Sequence, residues 1–183
     1  PLVAVVFYLQ IGNPRGVTDP TGGVAPGGMA ATGERTQAQI EANVTKLAER
    51  LKNNPNDPDG WKMLARSYNQ MERWGEAAGA YAKATELQPK DADLLAEYAF
   101  VSAMASGQNL TGRPTEIINE ALKVDPENAK ALQLAGSAAF QAKDYAKAIQ
   151  YWERVLKRVP PNSEVAQAMT ERINEAKTLA GNK

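Results

Sequence analysis

Residues 53–91 read NNPNDPDGWKMLARSYNQMERWGEAAGAYAKATELQPKD, a stretch bounded by two copies of one stop-and-start signal. Each copy is a proline followed two residues later by an aspartate: Pro55 with Asp57, then Pro89 with Asp91. Proline ends a helix because it lacks the N–H and crowds the preceding turn. Aspartate opens the next helix by accepting a backbone N–H of its first turn. Between the signals, Trp61, Leu64, Ala65 and Tyr68 recur at helical spacing, and so do Ala77, Tyr81 and Ala84. The stretch therefore predicts two antiparallel helices. Its small residues let the two backbones approach, and its large ones fill the space beside them.

The signal recurs outward along the chain. Pro55, Pro89, Pro126 and Pro160 are separated by 34, 37 and 34 residues, and Asp57, Asp91, Asn128 and Asn162 follow them. A period of 34 is that of the tetratricopeptide repeat (TPR). Three repeats follow, at 58–91, 92–128 and 129–162. The third carries Leu132, Ala135, Gly136 and Ala139 on its first helix and Ala148, Trp152 and Val155 on its second. The middle repeat carries Leu95, Tyr98, Ala99 and Ser102, then Ile117, Ile118, Ala121 and Leu122. Its extra length falls around residues 108–114, with Gly107 placed to end the first helix in a left-handed cap. A loop absorbs such an insertion at small entropic cost.

Such a stack needs a closing element at each end, because terminal repeats otherwise expose an apolar face. A helix over 34–53, with Ile40, Val44, Leu47 and Leu51 as its stripe, serves the front. A capping helix over 163–180, striped by Val165, Met169, Ile173 and Ala176, serves the back. The fold class is thus all-α: a right-handed TPR superhelix of antiparallel helix pairs, with an N-terminal helix and a C-terminal capping helix, over 34–183. Ahead of it, residues 11–33 hold seven Gly and three Pro, a composition that reads as a flexible linker. Residues 1–10 are uncharged and mostly apolar, and are read as the end of a truncated transmembrane helix or a tail.

Composition excludes most chemistry. The chain has 183 residues, no Cys and no His. That removes Cys/His zinc sites, imidazole bases, thiolate nucleophiles and His-ligated haem. Its 21 Lys+Arg balance 21 Asp+Glu, so it lacks the basic excess that grips nucleic acid. No GxxxxGK[ST] frame occurs among the glycines, so no P-loop is present. The carboxylate pairs Glu116/Glu120 and Glu171/Glu175 sit on outer helix faces, and Trp61, Trp74 and Trp152 fall at packing positions. The reading is a binding module with no catalytic residues, no metal and no cofactor.

The stretches DADLLAEYA (91–99), SGQNLTGRP (106–114), ALKVDPENAKALQLAGSAAF (121–140) and DYAKAIQYWERVL (144–156) resemble the TPR domain of bacterial cytochrome c-type biogenesis proteins of the CcmI/CycH family. The TPR protein of nitrite-reductase assembly is also similar. The resemblance covers roughly 56–180. It implies a periplasmic apocytochrome c chaperone that holds the apocytochrome C-terminal helix and delivers it to the haem lyase complex subunits. It also implies a place at the bacterial inner membrane, with the TPR domain facing the periplasm and an N-terminal anchor as the sole membrane contact. The residues by themselves stop at a TPR protein–protein interaction scaffold, and a generic scaffold in another complex is the alternative.

A partner is expected on the hollow side, lined by the first helix of each repeat. The repeat frame places Asp59, Lys62, Arg66, Asn69 and Gln70 there, then Asp93, Ala96, Phe100, Ala103 and Met104, then Lys130, Gln133, Ser137, Phe140 and Gln141. Lys62, Arg66, Asn69, Phe100, Met104, Gln133, Ser137 and Phe140 are the expected peptide-binding set. Phe100, Met104 and Phe140 suit an amphipathic helix in a groove, and Lys62 with Arg66 share a face that suits a ligand carboxylate. The competing expectations are ordinary packing for the two phenylalanines and solvated charge for the two cations. The Lys/Asn/Lys/Arg set with which co-chaperone TPR domains clamp a terminal carboxylate is incomplete here, since Arg66 stands where that class has Asn.

Overall fold

The computed structural model describes residues 29–181, with side chains from residue 37 onward. Eight α-helices and no strands occur among the described residues: α1 (Met29–Asn53), α2 (Pro58–Gln70), α3 (Trp74–Leu87), α4 (Ala92–Ala105), α5 (Arg113–Val124), α6 (Ala129–Gln141), α7 (Tyr145–Leu156) and α8 (Glu164–Gly181). The chain divides into two compact units, residues 1–39 and 40–183, and the second contains all three repeats. The apolar stretch at 1–10 and most of the linker at 11–33 lie outside the described residues. Helix α1 begins at Met29, five residues ahead of the expected start, so the helix takes in the last part of the stretch read as linker.

The caps form where the sequence places them, with one exception. Asp57 Oδ1 accepts from Gly60 N at 2.8 Å, Asp91 Oδ1 from Leu94 N at 2.9 Å, and Asn128 Oδ1 from Ala131 N at 3.0 Å. At the fourth signal Ser163, not Asn162, caps the helix, its Oγ accepting from Ala166 N at 3.2 Å. Here a second proline, Pro161, follows the stop, and the chain takes one more residue to turn.

Helices α2/α3, α4/α5 and α6/α7 pair as hairpins. α3 packs on α4, α5 and α4 on α6, and α8 closes against α7. The apolar interior runs as three consecutive clusters. The first joins Val44 and Leu51 of α1 to Leu64, Tyr81 and Leu94; the second joins Leu95 and Ile117 to Ala131; the third joins Leu132 and Trp152 to Met169 and Ile173. Each cluster spans the junction between neighbouring elements of the stack, so no repeat buries its apolar face alone. Ile40, expected in the α1 stripe, is exposed, and the buried stripe starts at Val44.

The long middle loop is pinned. Gly107 takes φ +67° directly after the α4 C-cap, the left-handed turn only glycine adopts without strain. Leu110 is buried, and Gln141 at the end of α6 holds the loop on both sides: Nε2 donates to Gln108 O at 2.9 Å, and Oε1 accepts from Leu110 N at 3.0 Å. Thr115 Oγ1 donates to Leu110 O. The insertion is thus a built edge beside the ends of α4 and α6.

Candidate functional site

Helices α2, α4 and α6 are the first helices of the three repeats, and polar bridges tie each one to the next or to the cap that opens it. Lys62 Nζ meets Asp91 Oδ2 at 3.4 Å. Arg66 reaches across to Glu97, its Nη2 lying 3.0 Å from Oε1 and 3.3 Å from Oε2. Lys130 Nζ approaches the same Oε1 from the other side at 3.2 Å, and the Tyr81 hydroxyl donates to Oε2 at 3.0 Å. Asn128 Nδ2 donates to Asp93 Oδ1 at 2.7 Å. Glu97 is therefore the hub of the face, one carboxylate of the middle repeat taking donors from the first and third.

Its side chain is only 13% exposed, whereas Arg66 and Lys130 are about half exposed. Burial works against ionising Glu97. The hydrogen bond from Arg66 and the charges of Lys130 and Arg66 outweigh it and hold the pKa below the ordinary glutamate value. The same contact raises Arg66 above the usual guanidinium value. Burial, followed by the Glu97 charge, pushes the Tyr81 hydroxyl well above its ordinary value, so Tyr81 stays a donor.

The lowered pKa sets a pH dependence. A carboxylate with a depressed folded-state pKa adds stability that is complete above its unfolded value of 4.5 and is lost as pH falls through the lower folded value. Below pH 4.5 the chain is expected to lose stability more steeply than Glu97→Gln, measured by urea unfolding from pH 7 to pH 2. Parallel curves for the two proteins would show that the hub carboxylate is not linked to folding.

The expected site residues divide by environment. Lys62 and Arg66, which the sequence reading offers to a ligand's carboxylate, meet Asp91 at the cap of α4 and Glu97 within α4. Asn69 lies at the end of α2, its Oδ1 buried without a hydrogen-bond partner. Phe100 is half-buried and meets Trp74 edge-on at 6.3 Å. Phe140 is half-buried between Tyr145 at 5.3 Å and Trp152 at 5.7 Å. Both phenylalanines thus pack and present an open edge. Met104 is half-buried on the same helix as Phe100. Ser137 Oγ donates to Gln133 O at 3.1 Å, and that carbonyl also accepts from Trp152 Nε1 at 3.3 Å. Ala96 and Ala103, placed on this face by the repeat frame, are instead buried in the core at 1% and 5% exposure. Helix α4 turns its 93, 97, 100, 104 stripe inward, and Glu97 takes the place expected for Ala96.

Sequence reasoning missed one residue of this face. Glu97 carried a readable signal, the i, i+4, i+7, i+11 spacing of Asp93, Glu97, Phe100 and Met104. Elsewhere on α2, Met63 is 61% exposed, the most open large apolar side chain among the described residues. The inner face thus holds Phe100, Met104 and Phe140 beside ion-paired side chains. Among the described residues no cluster of acidic side chains is arranged to hold a metal ion, and no helix is long and apolar enough to cross a membrane.

Comparison with known proteins agrees with this architecture. A family model described as the cytochrome c-type biogenesis protein H TPR domain matches residues 29–166. The chain is 30% identical to the cytochrome c-type biogenesis protein CycH of Pseudomonas aeruginosa over 184 residues, 99% of this chain and 43% of the relative. It is 31% identical to the formate-dependent nitrite reductase complex subunit NrfG of Escherichia coli O157:H7 over 144 residues, 79% of this chain and 72% of that one. The chain thus spans under half the length of the CycH relative. Among solved structures, the first TPR domain of human RPAP3 is similar with a TM-score of 0.59 and 22% identity, covering 70% of this chain and 98% of that one.

Proposed function

The chain belongs to the cytochrome c-type biogenesis protein H TPR domain family, and from that membership we propose that it is a binding scaffold for apocytochrome c. Its inner face receives the apocytochrome's C-terminal helix and holds it for delivery to the haem lyase complex. On the same reading the domain works on the periplasmic side of the bacterial inner membrane, carried by an N-terminal anchor. The observation that carries the proposal is the inner face itself, where the half-exposed Phe100, Met104 and Phe140 sit among charges already paired. Such a face gains affinity by burying a partner's apolar stripe, the helix-in-groove mode. Thioether side chains adapt to the irregular surface a ligand helix presents.

Calorimetric titration tests this. A peptide copying the C-terminal helix of an apocytochrome c is expected to bind, and the folded holocytochrome, whose helix is already packed, at least tenfold more weakly. Met104→Glu, which places a charge on the half-exposed apolar row, is expected to weaken the peptide about tenfold, roughly 1.4 kcal/mol. Equal affinity for peptide and holocytochrome, or an unaltered Met104→Glu, would assign the domain to a different partner or a different face.

A further inference from the structure

We propose that Glu97 is a specificity determinant of the inner face: an internal carboxylate that fills the cationic niche between Arg66 and Lys130 and thereby turns the face against acidic partners. The inference rests on the reading of that face as a peptide site, and adds the chemistry of the peptide it accepts.

The geometry is that of an anion site with its anion built in. Two cations from different repeats and a phenolic hydroxyl converge on one carboxylate at 3.0 to 3.2 Å. A pair of cations with a neutral donor, held by separate rigid helices, is an arrangement that takes a ligand carboxylate. Here the chain supplies that carboxylate. An acidic side chain or chain terminus arriving from outside meets a niche whose donors are already taken. The rest of the face points the same way. Lys62, Arg66 and Lys130 stand against Asp59, Asp91, Asp93 and Glu97, so carboxylates outnumber cations. The partner that fits is a helix with an apolar stripe flanked by neutral or basic residues, and like-charge juxtaposition excludes acidic ones.

The test uses two amphipathic helical peptides with one leucine stripe, differing only in whether the stripe is flanked by lysine or glutamate. The wild-type chain is expected to prefer the lysine peptide by at least tenfold. Glu97→Gln retains an acceptor for Tyr81 and the volume of the side chain while freeing both cations. It is expected to narrow or invert the preference, with the glutamate peptide gaining about tenfold. An unchanged preference in Glu97→Gln overturns the proposal. A second arm reads the niche without any peptide. In Glu97→Ala, acetate is expected to raise the melting temperature relative to chloride at equal ionic strength, with no such difference in the wild type. Acetate and chloride acting alike on Glu97→Ala would likewise overturn the niche. Binding of neither peptide, with acetate rescue intact, would retire the peptide-site reading, and with it the role of Glu97 in selecting peptides, leaving only the anion niche.

Discussion

Gly136→Ala is expected to destabilise the chain by about 2 kcal/mol, although alanine is the better helix former. Gly136 lies in the middle of α6, against the indole of Trp152 on α7. A Cβ at this position would fall 2.3 Å from Nε1, 2.5 Å from Cδ1 and 2.8 Å from Cε2. The indole has no room to retreat, because Trp152 is 1% exposed, packs on Phe140 at 5.7 Å and donates to Gln133 O. Overpacking a filled core costs up to about 3 kcal/mol. The gain from replacing glycine in a helix interior offsets only about 1 kcal/mol of that. Chemical denaturation measures the net effect, and a variant as stable as the wild type would mean that α6 and α7 are not held at this distance. A double-mutant cycle isolates the contact. Trp152→Leu leaves space for the new methyl group, so the double variant is expected to be more stable than the sum of the single effects by about 1 to 2 kcal/mol.

The second large effect is at the front of the stack. Leu51→Ala is expected to cost about 3 kcal/mol, in the range found for leucine truncation in filled cores. Leu51 is fully buried, and its Cδ2 lies so near the α2 backbone that a Cβ at Gly60 would come within 2.7 Å of it. It joins α1 to the cluster containing Leu64 and Tyr81. In a repeat stack each element rests on its neighbours, so the loss is expected to be regional. Amide hydrogen exchange should accelerate in α2 and α3 and stay slow in α7 and α8. Uniform acceleration would show a chain that unfolds only as a whole.

The architecture was legible in the sequence because its signals are local. A proline and a capping side chain two residues later mark three of the four helix starts directly. At the fourth, Pro161 displaces the cap by one residue, to Ser163. The small residues of the third repeat predicted close helices, and Gly136 against Trp152 is such a contact. The inner face was less legible. Lys62 and Arg66 are paired across 29 and 31 residues, and no local pattern announces a partner at that distance. The repeat frame, transferred to α4 unchanged, placed Ala96 inward, whereas the helix presents Glu97. The frame carries the average orientation of a repeat's first helix, and α4 departs from it. Phe100 and Phe140 had two expected roles, and the structure gives each a packing partner and a half-open edge.

The bridges across the inner face have a mechanical consequence. Lys62 to Asp91, Arg66 to Glu97, Glu97 to Lys130 and Asp93 to Asn128 act as stitches that tie the first helix of each repeat to the next or to its cap. On the proposed function, a guest helix meets side chains already held in place and loses less entropy in settling. Three of the four stitches are ionic, and in molar salt, where charges are felt over only about 3 Å, they slacken. On the proposed function, brine therefore loosens the polar frame of the seat while strengthening its apolar part.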